Sequence, residues 1–203
     1  MNKFIGIVGT ISTESTNKRL LTFMKQHFAD QATIDLLDIS GLPMFNKPAN
    51  KQVPKRIGEM AAKIEAADGV IISTPEYDHS VPAVLMNALA WLSYGIHPFV
   101  NKPVMITGAS FGSLGSSRAQ GHLRIILDSP ELRARIMPSS EFLLGNSLST
   151  FNEDGSLKDA EKVAKLDGLF ADFQTFVALT KQLNHADELN KQEAKDFSWD
   201  KLD

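Results

Sequence analysis

Five hydroxyl residues crowd the short segment that follows the first apolar run of the chain. They are Thr10, Ser12, Thr13, Ser15 and Thr16, and an amphipathic stretch begins among them. Backbone N–H groups at the start of a helix are unpaired and favour an anion, so hydroxyls placed there can surround a phosphate group. The simpler interpretation is a helix cap by Ser15 or Thr16. A cap uses one hydroxyl, and from this loop alone the two interpretations are equally supported.

Two further segments are rich in small or hydroxyl residues. They read TPEYDHSVP, residues 74–82, and GASFGSLGSS, residues 108–117. The hydroxyl-rich segment at 9–17 lacks the GxxxxGK[ST] pattern, which excludes a nucleotide triphosphate P-loop. It also lacks the GxGxxG pattern, which disfavours a Rossmann dinucleotide site.

The spacing of a hydrolase nucleophile is present as well. GASFG, residues 108–112, matches GxSxG after a predicted strand, and would make Ser110 the nucleophile of a Ser–His–Asp hydrolase. The later histidines, His122 and His185, do not form an evident triad. A hydrolase also leaves the first segment and TPEY unexplained, so this is the weaker alternative.

The elements that position these segments alternate regularly. Apolar runs predict strands at 3–8, 33–39, 69–74, 103–108 and 141–144, and helical spacing predicts helices at 15–28, 57–67, 81–92, 117–127 and 163–177. Alternating strands and helices imply βαβ units, hence a parallel sheet covered on both faces. Ligands bind such a sheet beyond the carboxyl ends of its strands, where the three segments following strands one, three and four would meet.

Composition narrows the class of protein. The chain has 203 residues, 43% of them hydrophobic, which suits one globular domain. A net charge of −3 without a basic run argues against nucleic-acid binding. The absence of cysteine removes thiolate and iron–sulfur chemistry, and the five histidines show no metal-binding spacing. No run is long enough for a membrane span or a signal peptide, so we expect a cytoplasmic protein without a membrane or metal partner.

The segments TPEYDHSVPAVLMNALAWLS and KPVMITGASFGSLGSSRAQGHLRIIL resemble the NADPH-dependent FMN reductase family, which includes quinone, azo-dye and chromate reductases. The resemblance spans roughly residues 4–183. It implies an α/β flavodoxin-like fold, a doubly wound five-stranded parallel sheet of order 2-1-3-4-5. We therefore expect an FMN-binding domain at 1–184. The remaining residues, 185–203, are polar and mixed in charge, so we expect a C-terminal tail there that Phe197 and Trp199 would anchor.

The resemblance also implies a set of FMN-binding residues. In the family, the first loop holds the phosphate, the second lies along the isoalloxazine ring, and the third supports the ring beside the nicotinamide site. The corresponding residues here are Thr10, Ser12, Ser15, Thr16 and Asn17 in the first loop, Pro75, Glu76, Tyr77, Asp78, His79 and Ser80 in the second, and Ser110, Phe111 and Gly112 in the third.

The sequence departs from the family pattern at two places. Many members carry Arg where this chain has Ser12, so the phosphate loses a bidentate cation. Lys18 or Arg19 would have to supply the charge, and Glu14 opposes it. The pair Asp78-His79 stands where Asn-Gly is common; if His79 needs a positive φ, it tolerates that conformation less well than Gly.

The implied activity is that of an FMN-dependent NAD(P)H oxidoreductase. NADPH or NADH would pass hydride to FMN, and a quinone, azo compound, free flavin or similar small-molecule acceptor would then be reduced. The cofactor performs the chemistry, so no catalytic acid, base or nucleophile is assigned to the protein. The family also implies a homodimer or homotetramer. The alternatives are a flavodoxin-type electron carrier and a non-catalytic flavin-binding module.

Overall fold

The computed structural model describes residues 1–197 of the chain. Its strands are β1 (Asn2–Val8), β2 (Ala32–Leu37), β3 (Gly69–Ser73), β4 (Pro103–Ala109), β5 (Arg135–Ile136) and β6 (Phe142–Leu144). Its helices are α1 (Thr16–His27), α2 (Lys55–Ala66), α3 (Ala83–Trp91), α4 (Ser117–Leu127), α5 (Ala160–Thr180) and α6 (Asp187–Asp196). The elements alternate as the hydrophobic periodicity predicts, and most boundaries differ from the prediction by a few residues.

The sheet is parallel throughout, with the order β2-β1-β3-β4-β5. This confirms the predicted flavodoxin-like arrangement. The fifth position is shared by two short strands: β5 pairs with the start of β4, at Pro103 and Val104, and β6 pairs with its end, at 107–109. Pro138 and a left-handed Ser139 (φ 53°) separate the two pieces, since neither suits a continuous strand.

Helices cover both faces, which is why the central strands read as continuous apolar runs. One core joins Ile5, Ile7, Val70, Ile72, Val104 and Ile106 of the sheet to α2, α3 and α4. The opposite core joins Phe4, Ile71 and Met105 to α1 and α5. The sheet is therefore doubly wound, and its carboxyl edge is left to the loops. Among residues 1–197, no helix has the length and apolar character needed to cross a membrane.

The C-terminal tail contains a helix packed against the domain. Arg135 of β5 donates to the Asp187 carboxylate at 2.7 Å, and Asn190 of α6 donates to Asn101 at 2.8 Å. Ala194 is buried. Phe197, one of the two predicted anchors, borders a cavity of about 450 Å³ between α3, α4 and the loop at 45–51. Trp199, the other, lies outside the described residues.

Candidate functional site

The loops that follow β1, β3 and β4 meet at the carboxyl edge of the sheet and enclose a cavity of about 370 Å³. This volume lies within the range of roughly 300–1,000 Å³ usual for small-molecule sites. The lining residues are Thr10, Ser12, Glu14, Ser15, Thr16, Asn17, Pro75, Glu76, Tyr77, Ala109, Ser110, Phe111 and Gly112. The structure thus brings together most of the predicted site residues; Asp78, His79 and Ser80 are not in the lining.

The first loop provides neutral donors at the start of α1. Ser15 is the N-cap residue, and its Oγ accepts a hydrogen bond from the Lys18 backbone N–H at 3.1 Å, which confirms the capping interpretation for this residue. The N–H groups of Thr16 and Asn17 stand in the first turn, where no intrahelical carbonyl is available to them. Helix amides and hydroxyls together are the donor set that suits a phosphate, so the cavity fits the FMN tail at this end.

Several of the predicted hydroxyls also hold the loop in place. Thr10 Oγ1 is hydrogen-bonded to the Tyr77 hydroxyl at 3.1 Å and accepts from the Ser12 N–H at 3.2 Å. Thr16 Oγ1 is hydrogen-bonded to Ser147 Oγ at 2.8 Å, in a buried position. Ser147, in the turn after β6, is a supporting residue that sequence reasoning missed.

The Asn17 side chain joins the start of α1 to β3 and β4 by hydrogen bonds. Its side-chain amide donates to the Ala109 carbonyl at 2.9 Å, while its Oδ1 accepts from the Ala109 N–H at 2.9 Å and from the Ser73 hydroxyl at 2.8 Å. The residue is 2% exposed. Because both polar atoms of the side chain are bound to the sheet, the group of Asn17 that a phosphate at the start of α1 would meet is its backbone N–H.

Cations are absent from the described lining of this cavity. Lys18 and Arg19, the candidates to replace the missing Arg, instead line a neighbouring cavity with Asp154. The Arg19 guanidinium stacks over the Phe151 ring, 4.5 Å from its centroid. Glu14 borders both cavities. A phosphate in this cavity would meet helix amides and hydroxyls and no described cation, in keeping with the expectation drawn from Ser12.

The second loop closes into a tight turn beside the cavity. Tyr77 and Ser80 exchange two backbone hydrogen bonds, at 3.0 and 2.9 Å, around Asp78 and His79. These central residues have φ values of 49° and 63°, a conformation that usually selects Asn-Gly. His79 therefore adopts the positive φ that a His side chain tolerates less well than Gly. Ser80 Oγ is also hydrogen-bonded to His122 of α4 at 3.1 Å.

Glu76 of the same loop pairs with Arg118 of α4. One carboxylate oxygen accepts from the Arg118 guanidinium at 2.9 Å and the other from the Arg118 backbone N–H at 3.1 Å. Partial burial opposes ionisation, but the hydrogen bonds from Arg118 and from the Ala119 backbone outweigh it and lower the pKa of Glu76. The carboxylate is charged at neutral pH and occupied, so it is not poised for proton transfer.

The third loop is held by the turn that follows β6. Ser110 N–H donates to the Leu144 carbonyl, and Asn146 N–H donates to the Gly112 carbonyl at 2.9 Å. Ser110 Oγ donates within the loop to the Gly112 carbonyl, at 2.9 Å, and is not placed as a hydrolase nucleophile. Phe111 is 61% exposed at the rim. Among residues 1–197, no cluster of three or more His, Asp or Glu residues could hold a metal ion.

A doubly wound parallel sheet of order 2-1-3-4-5, with a cavity at its carboxyl edge beside the start of α1, defines the flavodoxin-like class of proteins. The chain belongs to the NADPH-dependent FMN reductase family, whose sequence model matches residues 2–149. This confirms the family that TPEY and the GASFG loop indicated.

Similar proteins cover nearly the whole chain. NADH:(hydroxy)cinnamate reductase subunit CrdA of Vibrio ruber is 51% identical over 97% of this chain and 96% of its own. NADH-dependent flavin reductase subunit 2 of Lactobacillus johnsonii is 40% identical, over 86% of this chain and 97% of its own. The solved structure of FerB, a flavoenzyme NAD(P)H:(acceptor) oxidoreductase of Paracoccus denitrificans, matches with a TM-score of 0.77 and 25% identity, over 90% of this chain and 98% of FerB.

The chain is therefore an FMN-dependent NAD(P)H oxidoreductase of the FMN reductase and quinone reductase type. The family and its reductase relatives confirm the predicted enzyme class and the predicted cofactors, FMN and NADH or NADPH. They favour this class over the carrier and the non-catalytic module.

Proposed function

We propose that the chain is an NADH-oxidising flavin reductase that supplies electrons to a separate reductase subunit. The observation that carries this proposal is the 51% identity, over almost the full length of both chains, to a subunit of an NADH:(hydroxy)cinnamate reductase. A second relative, at 40% identity, is also named as a subunit, of an NADH-dependent flavin reductase. Both names specify NADH.

The chemistry of the cavity supports this role. The first-turn amides and hydroxyls of α1 bind the FMN phosphate, and the loops at 75–77 and 110–112 flank the ring. FMN held by these loops would supply the chemistry, as the acceptor of hydride from the nicotinamide and the donor of electrons to the next acceptor. The protein positions the reactants, and the Glu76 carboxylate, which is engaged by Arg118, is not available for proton transfer.

A phosphate end that has no described cation and is bordered by the Glu14 carboxylate favours exchangeable FMN. Without a Lys or Arg in the described lining, FMN lacks the charge-assisted hydrogen bonds that a family Arg would give, each roughly twice as strong as a neutral one. A flavin reductase that hands reduced flavin to another subunit would benefit from such exchange. Other small acceptors, such as quinones, would be reduced at the same open edge.

The proposal extends to the assembly, which follows the family, and to the location, which follows the sequence. We propose a cytoplasmic homodimer or homotetramer whose neighbouring subunit covers part of the rim. Tyr77 and Phe111, which border the cavity, are 49% and 61% exposed. Apolar rings left open beside a ligand site are typical of a surface that another chain covers.

Steady-state NADH oxidation tests the activity. We expect FMN-loaded protein to oxidise NADH faster than NADPH, with menadione or excess free FMN as acceptor. The supernatant obtained by heating the protein as purified, before any FMN is added, should contain FMN. If FMN-loaded protein oxidises neither nucleotide, the enzyme assignment is wrong. If it reduces menadione but not free FMN, the reductase stands and the supply of flavin to another subunit does not.

A further inference from the structure

Helix α4 begins without a cap from its own sequence. Ser116 occupies the N-cap position in a left-handed conformation, with φ 65°, and its side chain makes no capping hydrogen bond. The Glu76 carboxylate takes that place from the second loop, by accepting from the Arg118 N–H at 3.1 Å. A carboxylate at this position also interacts favourably with the helix dipole. Glu76 is thus a cap supplied from 42 residues away in the chain.

The same contact joins the two loops that flank the flavin ring. Glu76 lies in the second loop and lines the cavity, and the third loop runs directly into the capped end of α4. The Glu76 side chain is 11% exposed, so the pair with Arg118 is largely shielded from water on the carboxylate side. Displacing Glu76 would break this link, and the second loop would then contact α4 through the Ser80–His122 hydrogen bond, while the turn after β6 would still hold the third loop.

We propose that Glu76 and Arg118 are positioning residues, which fix the spacing between the second and third loops and thereby set flavin and nicotinamide binding. The inference rests on the proposed function only in placing FMN in this cavity. It assigns Arg118 to the flavin site through Glu76, although Arg118 does not line the cavity. Neither residue exchanges a proton with the substrate.

Variants at both positions test the proposal. Glu76→Ala removes the cap and the ion pair, and we expect the FMN Kd to rise about tenfold, which corresponds to about 1.4 kcal/mol, within the range of a lost cap. Arg118→Met keeps the backbone cap and removes the guanidinium, so a smaller loss is expected. Arg118→Lys should restore most of the affinity. Glu76→Gln, which retains one acceptor, covers the case in which Glu76→Ala does not fold.

The matched control is Glu193→Gln, which breaks the ion pair between α6 and Arg133, away from the cavity. FMN Kd by fluorescence quenching, the KM for NADH, the visible spectrum of bound FMN and the Tm of each apoprotein are measured together. We expect the Glu76 and Arg118 variants to change the FMN Kd, the KM for NADH and the spectrum of bound FMN. Combining the two substitutions should change the FMN Kd by less than the product of the single effects. The control should change at most the Tm.

Two results would contradict the inference in different ways. If the Glu76 and Arg118 variants lower the Tm but keep the wild-type Kd, KM and spectrum, the pair stabilises the fold and positions nothing. If the wild-type protein itself binds no FMN, the proposed function fails and the inference fails with it. The wild-type titration therefore separates the two failures.

Discussion

At the residue scale, Ser15 combines a structural role with a proposed ligand role. Its Oγ caps α1, and the residue also lines the cavity. Asp caps helices as well as Ser does, whereas Ala does not. A pair of substitutions can therefore separate the two roles, because only one of them adds negative charge.

We predict that Ser15→Asp keeps the Tm of the wild type but weakens FMN binding by at least about tenfold, since a carboxylate opposes the phosphate. Ser15→Ala should instead lose about 1 kcal/mol of unfolding free energy through the missing cap. Thermal unfolding and FMN titration of both variants check this. Wild-type FMN affinity in Ser15→Asp would show that the phosphate binds elsewhere.

His79 is the residue where the backbone conformation conflicts most with the side chain. With φ at 63°, it bears a cost that Gly would not, of order 1 kcal/mol. We predict that His79→Gly raises the Tm and leaves the FMN Kd unchanged, because His79 is not in the cavity lining. Because this turn lies beside the cavity, the rates at which the variant reduces menadione, free FMN and an azo dye should change relative to one another. Identical relative rates would mean that His79 does not face the acceptor.

Residue types predicted the position of the site but not its internal contacts. The hydroxyl cluster and TPEY are local in sequence, so their location could be predicted directly. Thr16 and Ser147 are 131 residues apart, and Asn17 and Ala109 are 92 apart. No local pattern predicts such pairs, since they depend on how β1, β4 and β6 pack side by side. Lys18 and Arg19 show the same limit, since their position beside the hydroxyl cluster predicts phosphate contact whereas the fold places them in the lining of a different cavity.

At the element scale, the junction between β4 and α4 depends on one small residue. A Cβ added at Gly108 would lie 1.8 Å from Ser116 Oγ and 2.6 Å from the Thr74 carbonyl oxygen. In contrast, a Cβ at Gly121, on the exposed side of α4, would meet nothing within 4 Å. The two glycines are therefore a matched pair on neighbouring parts of the same βα unit.

We predict that Gly108→Ala destabilises the protein by about 1–3 kcal/mol and weakens FMN binding, because the third loop must shift. Gly121→Ala should stabilise α4 by up to about 1 kcal/mol, since Ala has the higher helix propensity. Urea unfolding of both variants with and without FMN measures these changes. A tolerated Gly108→Ala would indicate that the third loop has room to move.

The hydrophobic periodicity predicted the central strands and the helices more accurately than the edge of the sheet formed by β5 and β6. The runs that form β1, β3 and β4 are long, apolar and buried on both faces, which makes their pattern unambiguous. The fifth position is divided because Pro138 and Ser139 interrupt it, and Arg124 donates to the Met137 carbonyl there at 3.0 Å. A hydrophobic pattern cannot predict that a side chain, rather than a neighbouring strand, binds a backbone carbonyl.

At the scale of the whole molecule, His97 makes stability depend on pH. Burial lowers its pKa from the ordinary 6.5, although the hydrogen bond to the Glu131 carbonyl opposes the change. The unfolded chain therefore takes up a proton first as the pH falls, and stability decreases below pH 6.5. The carboxylates of Asp38 and Asp68, whose pKa values are lowered from 3.8, act in a separate and more acidic range.

We predict that the unfolding free energy decreases more steeply between about pH 7 and pH 5 in the wild type than in His97→Asn, because Asn can donate to Glu131 without titrating. Urea unfolding at several pH values gives both slopes. Parallel slopes would mean that the protonated ring is accommodated in the folded state.

The C-terminal tail is attached at the end of the sheet opposite the cavity proposed to bind FMN. Arg135, which pairs across the sheet with Pro103 at the start of β4, holds Asp187, whereas the cavity lies at the carboxyl end of β4. We predict that removing residues 185–203 lowers the Tm by several degrees, since a loss of 1 kcal/mol shifts the Tm by about 2–4 °C at this size. The FMN Kd should stay within about twofold of the wild type, because no described residue of α6 lines the cavity. Calorimetry and FMN titration of the shortened chain measure both quantities. Retained flavin binding would support residues 1–184 as a complete FMN-binding domain, while its loss in a folded protein would place that boundary too early.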